Sequence, residues 1–124
     1  MTKNWANKTI VIAEDEQINY LFLKAVLKPT QAKIIWTKTG HETIDICKFN
    51  SVDIVLMDIK MPDLNGLDAT IIIKKTQPNL PIIAQTAYAL SEDKEDSLKA
   101  GCCAHISKPI KPNNLLNLIS EYIN

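Results

Sequence analysis

Arginine is absent from this chain of 124 residues, and every one of its 14 basic residues is lysine. Arginine is the usual side chain for bidentate recognition of phosphates and bases, so sequence readout of DNA by this chain is not expected. Neither sign of charge is in excess: 14 Lys balance 14 Asp and Glu, leaving no electrostatic footprint for nucleic acid or an anionic membrane surface. No apolar run is long enough to cross a bilayer, and the polar start MTKNWANK does not read as a signal peptide. Cysteine is scarce. Cys47, Cys102 and Cys103 are odd in number and lack metal-binding spacing, which fits a reducing cytosol. Internal repeats, low-complexity tracts and Ser/Gly/Pro-rich linkers are missing as well. What is present is an ordinary globular composition, 46% hydrophobic and 23% charged. A chain of this length buries about two-thirds of its unfolded surface on folding, enough for a core without staples. The expectation is one intracellular, cytoplasmic domain spanning residues 1–124.

Five apolar runs read as strands, at 9–13, 33–37, 54–57, 81–84 and, most weakly, 104–107. Helical patterns separate them. Ile18, Leu21, Phe22, Ala25 and Val26 recur at helical spacing and predict a core-facing stripe on the first helix. Leu115, Leu118, Ile119, Tyr122 and Ile123 do the same for the last, with Pro112 in its first turn. Thr39-Gly40-His41-Glu42 reads as a capping box opening a helix over 40–49. Weaker patterns predict helices over 66–76 and 91–99. Strict alternation of strand and helix implies an α/β fold with a parallel sheet covered on both faces by right-handed crossovers. The first, third and fourth strands are nearly continuous apolar runs, as central strands are. The second carries Lys33 and Thr37, and in the fifth His105 and Ser107 face away from Ala104 and Ile106. Those two belong at the edges, and the flavodoxin-like order 2-1-3-4-5 meets both requirements.

In that topology four strand ends open onto one crevice. They bring Glu14-Asp15-Glu16, Asp58, Gln85-Thr86 and Lys108-Pro109 together. Clustered carboxylates cost stability unless a cation or proton compensates them, and hard oxygen donors without His or Cys favour Mg²⁺. Lys108 supplies a point charge that can hold an anion against the carboxylates, and Thr86 a hydroxyl donor. A carboxylate nucleophile, a divalent ion and a lysine suit phosphoryl transfer onto an aspartate. Acidic residues after a strand are most often solvated loop, but convergence of four separate ends argues against that here.

The segment IVLMDIKMPDLNG, from Ile54 to Gly66, together with Glu14-Asp15, Thr86-Ala87 and Lys108-Pro109, resembles the receiver domain of two-component response regulators. The resemblance covers almost the whole chain, and the strand order above is also the one it implies. It implies that Asp58 is the phosphoacceptor, and that Asp15, Asp58 and the backbone carbonyl of Lys60 ligate Mg²⁺, with Glu14 acting through water. Thr86 and Lys108 would contact the phosphoryl group. Sensor histidine kinases or phosphotransfer domains would be the partners; a weak homodimer stays open, and neither direct nucleic-acid binding nor membrane insertion is implied. MDIKMPDLNGLDAT and QTAYAL are most similar to receivers at the C-termini of hybrid sensor kinases, which would make this the cytoplasmic part of a membrane-anchored protein; a free-standing single-domain regulator would look the same. Three positions depart from the commonest pattern: His105 stands where the switch aromatic is usual, and Lys60 and Tyr88 stand where side chains influence phosphoryl lifetime.

A haloacid-dehalogenase-type phosphohydrolase would need Asp-x-Asp after the first strand, whereas Asp58 follows the third and has Lys60 two residues on. An FMN carrier would need a Ser/Thr/Gly-rich phosphate loop where Glu14-Asp15-Glu16 stands. A degenerate receiver that only binds proteins is the serious alternative, and the intact acidic, Thr and Lys positions argue against it. Cys102-Cys103 reads as small apolar residues in a turn after Gly101, and Trp5 and Trp36 as packing.

Overall fold

The computed structural model describes residues 4–87 and 91–123. Five strands, β1 (Thr9–Ala13), β2 (Lys33–Thr37), β3 (Ile54–Asp58), β4 (Ile82–Thr86) and β5 (Ala104–Ser107), alternate with five helices, α1 (Gln17–Leu27), α2 (Gly40–Phe49), α3 (Gly66–Thr76), α4 (Ser91–Ala100) and α5 (Pro112–Ile123). All pairings are parallel and the sheet order is β2-β1-β3-β4-β5, the flavodoxin-like arrangement expected from the alternation. β3 is buried throughout, while edge strand β5 is only half-buried at every position. β4 starts one residue later than the apolar run suggested and continues through Gln85 and Thr86. Those residues pair with Ile106 and Ser107, so register with the edge strand, not apolar character, sets the end.

Period-two alternation divides the core cleanly. Ile10, Ile12, Ile54, Leu56 and Ile83 face α1 and α5, where they meet Leu23, Leu27, Leu115 and Ile119. Val11, Val55, Met57, Ile82 and Ala84 face the other way, against Cys47 of α2 and Ala69 and Ile73 of α3. The predicted core stripe of α1 is a misreading. Ile18, Leu21 and Phe22 are 81%, 49% and 42% exposed and Ala25 is exposed too; of the five, only Val26 packs against the core. The buried stripe is Tyr20, Leu23 and Leu27. Tyr20 stacks on Trp36 of β2, ring centroids 4.0 Å apart and planes at 3°, and this contact rotates the helix onto its other apolar stripe.

Local signals place the segments around the strand ends. Thr39 caps α2 by accepting from the Glu42 N–H at 3.0 Å, and Asn65 caps α3 by accepting from the Asp68 N–H at 2.9 Å. Gly66 starts α3 in contact with the strand that carries Asp58. A Cβ there would run into the Asp58 backbone carbonyl, so only glycine fits. Gly101, at φ 115°, makes the turn after α4. Beyond it Cys102 is buried and Cys103 exposed, and burial pushes the Cys102 thiol up to about 11. No helix among the described residues is long and apolar enough to cross a membrane.

Candidate functional site

The strand ends converge as expected. Alternation along β1 and β3 carries Glu14 and Asp58 onto the side of the sheet that α1 and α5 cover, and Gln85 sits in register beside Asp58. Glu14 has no exposed surface, Asp58 is 6% exposed, and Asp15 is exposed at the rim. One carboxylate oxygen from each of the three lies within 4.8 Å of the others. Lys108 reaches in from the end of β5, its Nζ donating to Glu14 Oε1 at 3.2 Å and to Asp58 Oδ2 at 3.1 Å. The Lys60 backbone N–H donates to Asp58 Oδ1 at 3.1 Å. Thr86 is buried at the end of β4, its hydroxyl 3.5 Å from that of Ser107. Asp15, Asp58, Lys60, Thr86 and Lys108, with Glu16, Ile59, Gln85 and Ala87, line a cleft of about 240 Å³. Larger clefts of about 670 and 650 Å³ lie at the opposite end of the sheet and between α2 and α3, and neither gathers the carboxylates.

The electrostatics of this cluster suit a cation. Burial, reinforced by the neighbouring Asp58, raises the Glu14 carboxyl to about 7 even though Lys108 and the Glu16 amide pull the other way. Burial alone would lower the Lys108 ammonium, but Asp58 and Glu14 outweigh it and hold it above its ordinary value. A single lysine cannot balance three carboxylates. The unbalanced charge and the all-oxygen donor set fit a hard divalent ion such as Mg²⁺.

The remaining expected residues sort by face. His105 is half-buried and pairs with Ala84, while Ala104 and Ile106 pack towards α1 and α5; His105 and Ser107 therefore share the Thr86 side of the sheet. The Lys60 side chain is exposed at the mouth of the cleft. Tyr88 lies outside the described residues. Two contributors escaped the sequence. Ser107 meets Thr86, which strand alternation would have revealed. Trp36 donates from Nε1 to the Glu14 backbone carbonyl at 2.7 Å, for which no signal exists. Gln85, expected at this crevice with Thr86, does line it. His41 and Asp63 pair at 2.5 Å on the surface, tying α2 to the loop after Asp58.

The family model described as the response regulator receiver domain matches residues 10–120. The polar-differentiation response regulator DivK of Brucella ovis is 32% identical over 118 residues, which cover 94% of this chain and 96% of that protein. Among solved structures, the receiver domain of a sensor histidine kinase from Pseudomonas aeruginosa PAO1 superposes with a TM-score of 0.88 at 30% identity, covering 94% of this chain and 97% of that one. That domain was crystallised with a magnesium ion coordinated in its active-site cleft. A CheY-like receiver domain protein from Methanospirillum hungatei JF-1 gives 0.87 at 30% identity, over 94% and 93% of the two chains. The acidic cluster, Thr86 and Lys108 are all in place, so a degenerate member is not favoured. This chain belongs to the response regulator receiver domain family and is a receiver of two-component signalling.

Proposed function

We propose that Asp58 accepts a phosphoryl group from a phosphohistidine of a sensor kinase or phosphotransfer domain. The observation that carries this reading is the position of Asp58 at the floor of the cleft, one oxygen held by the Lys60 amide and the other by Lys108, beside Glu14 and Asp15. In the transfer an Asp58 oxygen forms the bond to phosphorus while the donor's N–P bond breaks, its electron pair leaving with the imidazole nitrogen. Mg²⁺, held by Asp15, Asp58 and the Lys60 carbonyl with Glu14 behind water, would neutralise charge on the transferring oxygens. Lys108 holds the acceptor in place beforehand and offers its ammonium to the phosphoryl oxygens afterwards. Thr86, only loosely tied to Ser107, turns its hydroxyl to the same oxygens. The exposed Ile18, Leu21 and Phe22 of α1, the helix that follows the Glu14-Asp15-Glu16 strand end, give a protein donor an apolar surface to rest on.

Movement of Thr86 would pass to β5 and its neighbours, including His105, and so alter the face made by α4, β5 and α5. Lys60 at the mouth of the cleft would slow hydrolysis, and by its place in the sequence so would Tyr88, because neither kind of side chain is suited to orient an attacking water. In this reading residues 1–124 act as one receiver unit on the cytoplasmic side, either free or attached to a kinase, with contact between two copies on the output face as a secondary association.

Acetyl phosphate in Mg²⁺ should add one phosphoryl group by intact-mass spectrometry, and EDTA should prevent it. Labelling that is indifferent to EDTA would contradict the reading. Beryllofluoride with Mg²⁺, a phosphoryl mimic, should change amide exchange within residues 86–108 while leaving β1 and β2 unchanged. Exchange that is uniform across the chain would contradict the proposed switch.

A further inference from the structure

Among the described residues, Gln85 alone has buried side-chain polar atoms without a hydrogen-bond partner, and both its Oε1 and its Nε2 are in that state. The side chain is 1% exposed. An amide in this condition opposes folding, because its lost hydration is not replaced. Gln85 stands at the back of a cleft of about 360 Å³ walled by Ile18, Phe22 and Leu23 of α1 and by Pro109 and Ile110 after β5. That volume lies within the range of small-molecule sites, and so does the make-up: apolar walls with few polar groups behind them.

We propose that this cleft binds a small molecule carrying a carboxamide or lactam edge on an apolar ring. Neither polar atom of Gln85 has accessible surface while the cleft is closed over it, so the ligand reaches them only as the side chains in front turn aside; their oxygen and nitrogen then call for a donor and an acceptor side by side, which is the edge such a group presents. The flanking walls are wide and apolar, so the body attached to that edge must be apolar as well. An Asn or Gln side chain from a protein partner could supply the edge but has no ring to fill the walls. The outer wall is built from Ile18 and Phe22, exposed side chains at the surface of α1 that can turn to admit the ligand. Lys108 lines both this cleft and the phosphoryl site, so an occupant would sit directly behind the ammonium that holds Asp58. The binding claim stands whether or not Asp58 is the acceptor.

Benzamide is the probe, with toluene as its amide-free counterpart, each titrated into isotope-labelled full chain and followed by NMR. Benzamide should give saturable shifts at the Gln85 side-chain amide, Phe22 and Ile110, with a dissociation constant of about 1 mM, a value typical of so small a ligand. It should bind about tenfold tighter than toluene, and Gln85→Leu should erase that preference, as loss of one to two hydrogen bonds requires. Gln85→Leu and Gln85→Met should both fold with raised urea midpoints, because each removes an unpaired buried amide. Equal binding of the two probes, no saturable shift, or lowered midpoints in both variants would overturn the proposal. Failure of benzamide to bind, together with slower phosphotransfer from a phosphohistidine protein to Gln85→Leu, would overturn it in favour of a protein partner at Gln85.

Discussion

Gly66→Ala is expected to cost about 3 kcal/mol of folding stability, near the top of the range for overpacking a close contact. The added Cβ would meet the Asp58 backbone carbonyl and the Met57 side chain at once, and the carbonyl cannot swing aside like the end of a flexible chain. Gly66 is also pinned from its other side, because its N–H donates to the Ile59 carbonyl at 2.8 Å. Relief must therefore come from moving α3 or from moving the end of β3, and the second displaces Asp58, the proposed acceptor. Domains of this size have about 5–15 kcal/mol in hand, so the variant should fold and can be measured. Urea denaturation gives the cost directly. Gly101→Ala is the comparison: its φ of 115° is strained for alanine, but its Cβ would meet only the flexible Lys74 side chain. A Gly66→Ala loss no larger than that of Gly101→Ala would show that the α3–β3 contact is looser than described.

Glu14→Gln should flatten the pH dependence of stability in metal-free buffer. Burial and Asp58 raise the native carboxyl to about 7 from its ordinary value of 4.5, so the native state binds the proton more tightly than the unfolded chain does. Stability from this group is therefore fully present at the acid end of that window and is lost as pH rises through 7. The loss should be on the order of 2 kcal/mol between pH 5 and 8, discounted from the full shift for relaxation and water access. Subtracting the Glu14→Gln profile from the wild-type profile isolates the contribution. Mg²⁺ should reverse the trend, because a bound cation favours the ionised carboxylate, and its affinity should rise through the same window with release of a proton. Parallel wild-type and Glu14→Gln profiles would mean that Glu14 is better solvated than its burial indicates.

Most of the architecture was legible because local and global signals agree. Continuous apolar runs at β1 and β3 mark central strands, the Thr39 cap opens α2 where expected, and edge character at Lys33 and His105 leads to the strand order. The acidic crevice follows from that order, since each strand end delivers a residue of the right chemistry. α1 was misread for a physical reason. It carries two apolar stripes, and periodicity cannot choose between them; the choice comes from Tyr20 stacking on Trp36, a contact between residues far apart in sequence. The bond from Trp36 to the Glu14 carbonyl was invisible for the same reason. The end of β4 was missed because pairing with Ile106 and Ser107 overrides the polarity of Gln85 and Thr86.

The most direct test of the central claim is to locate the phosphoryl group. After labelling with acetyl phosphate and Mg²⁺, borohydride reduces an aspartyl phosphate to homoserine, and peptide sequencing by mass spectrometry finds the residue converted. Homoserine is expected at position 58 in the wild-type chain and nowhere in Asp58→Asn. Homoserine at Asp15, or equal labelling of the Asp58→Asn protein, would contradict it.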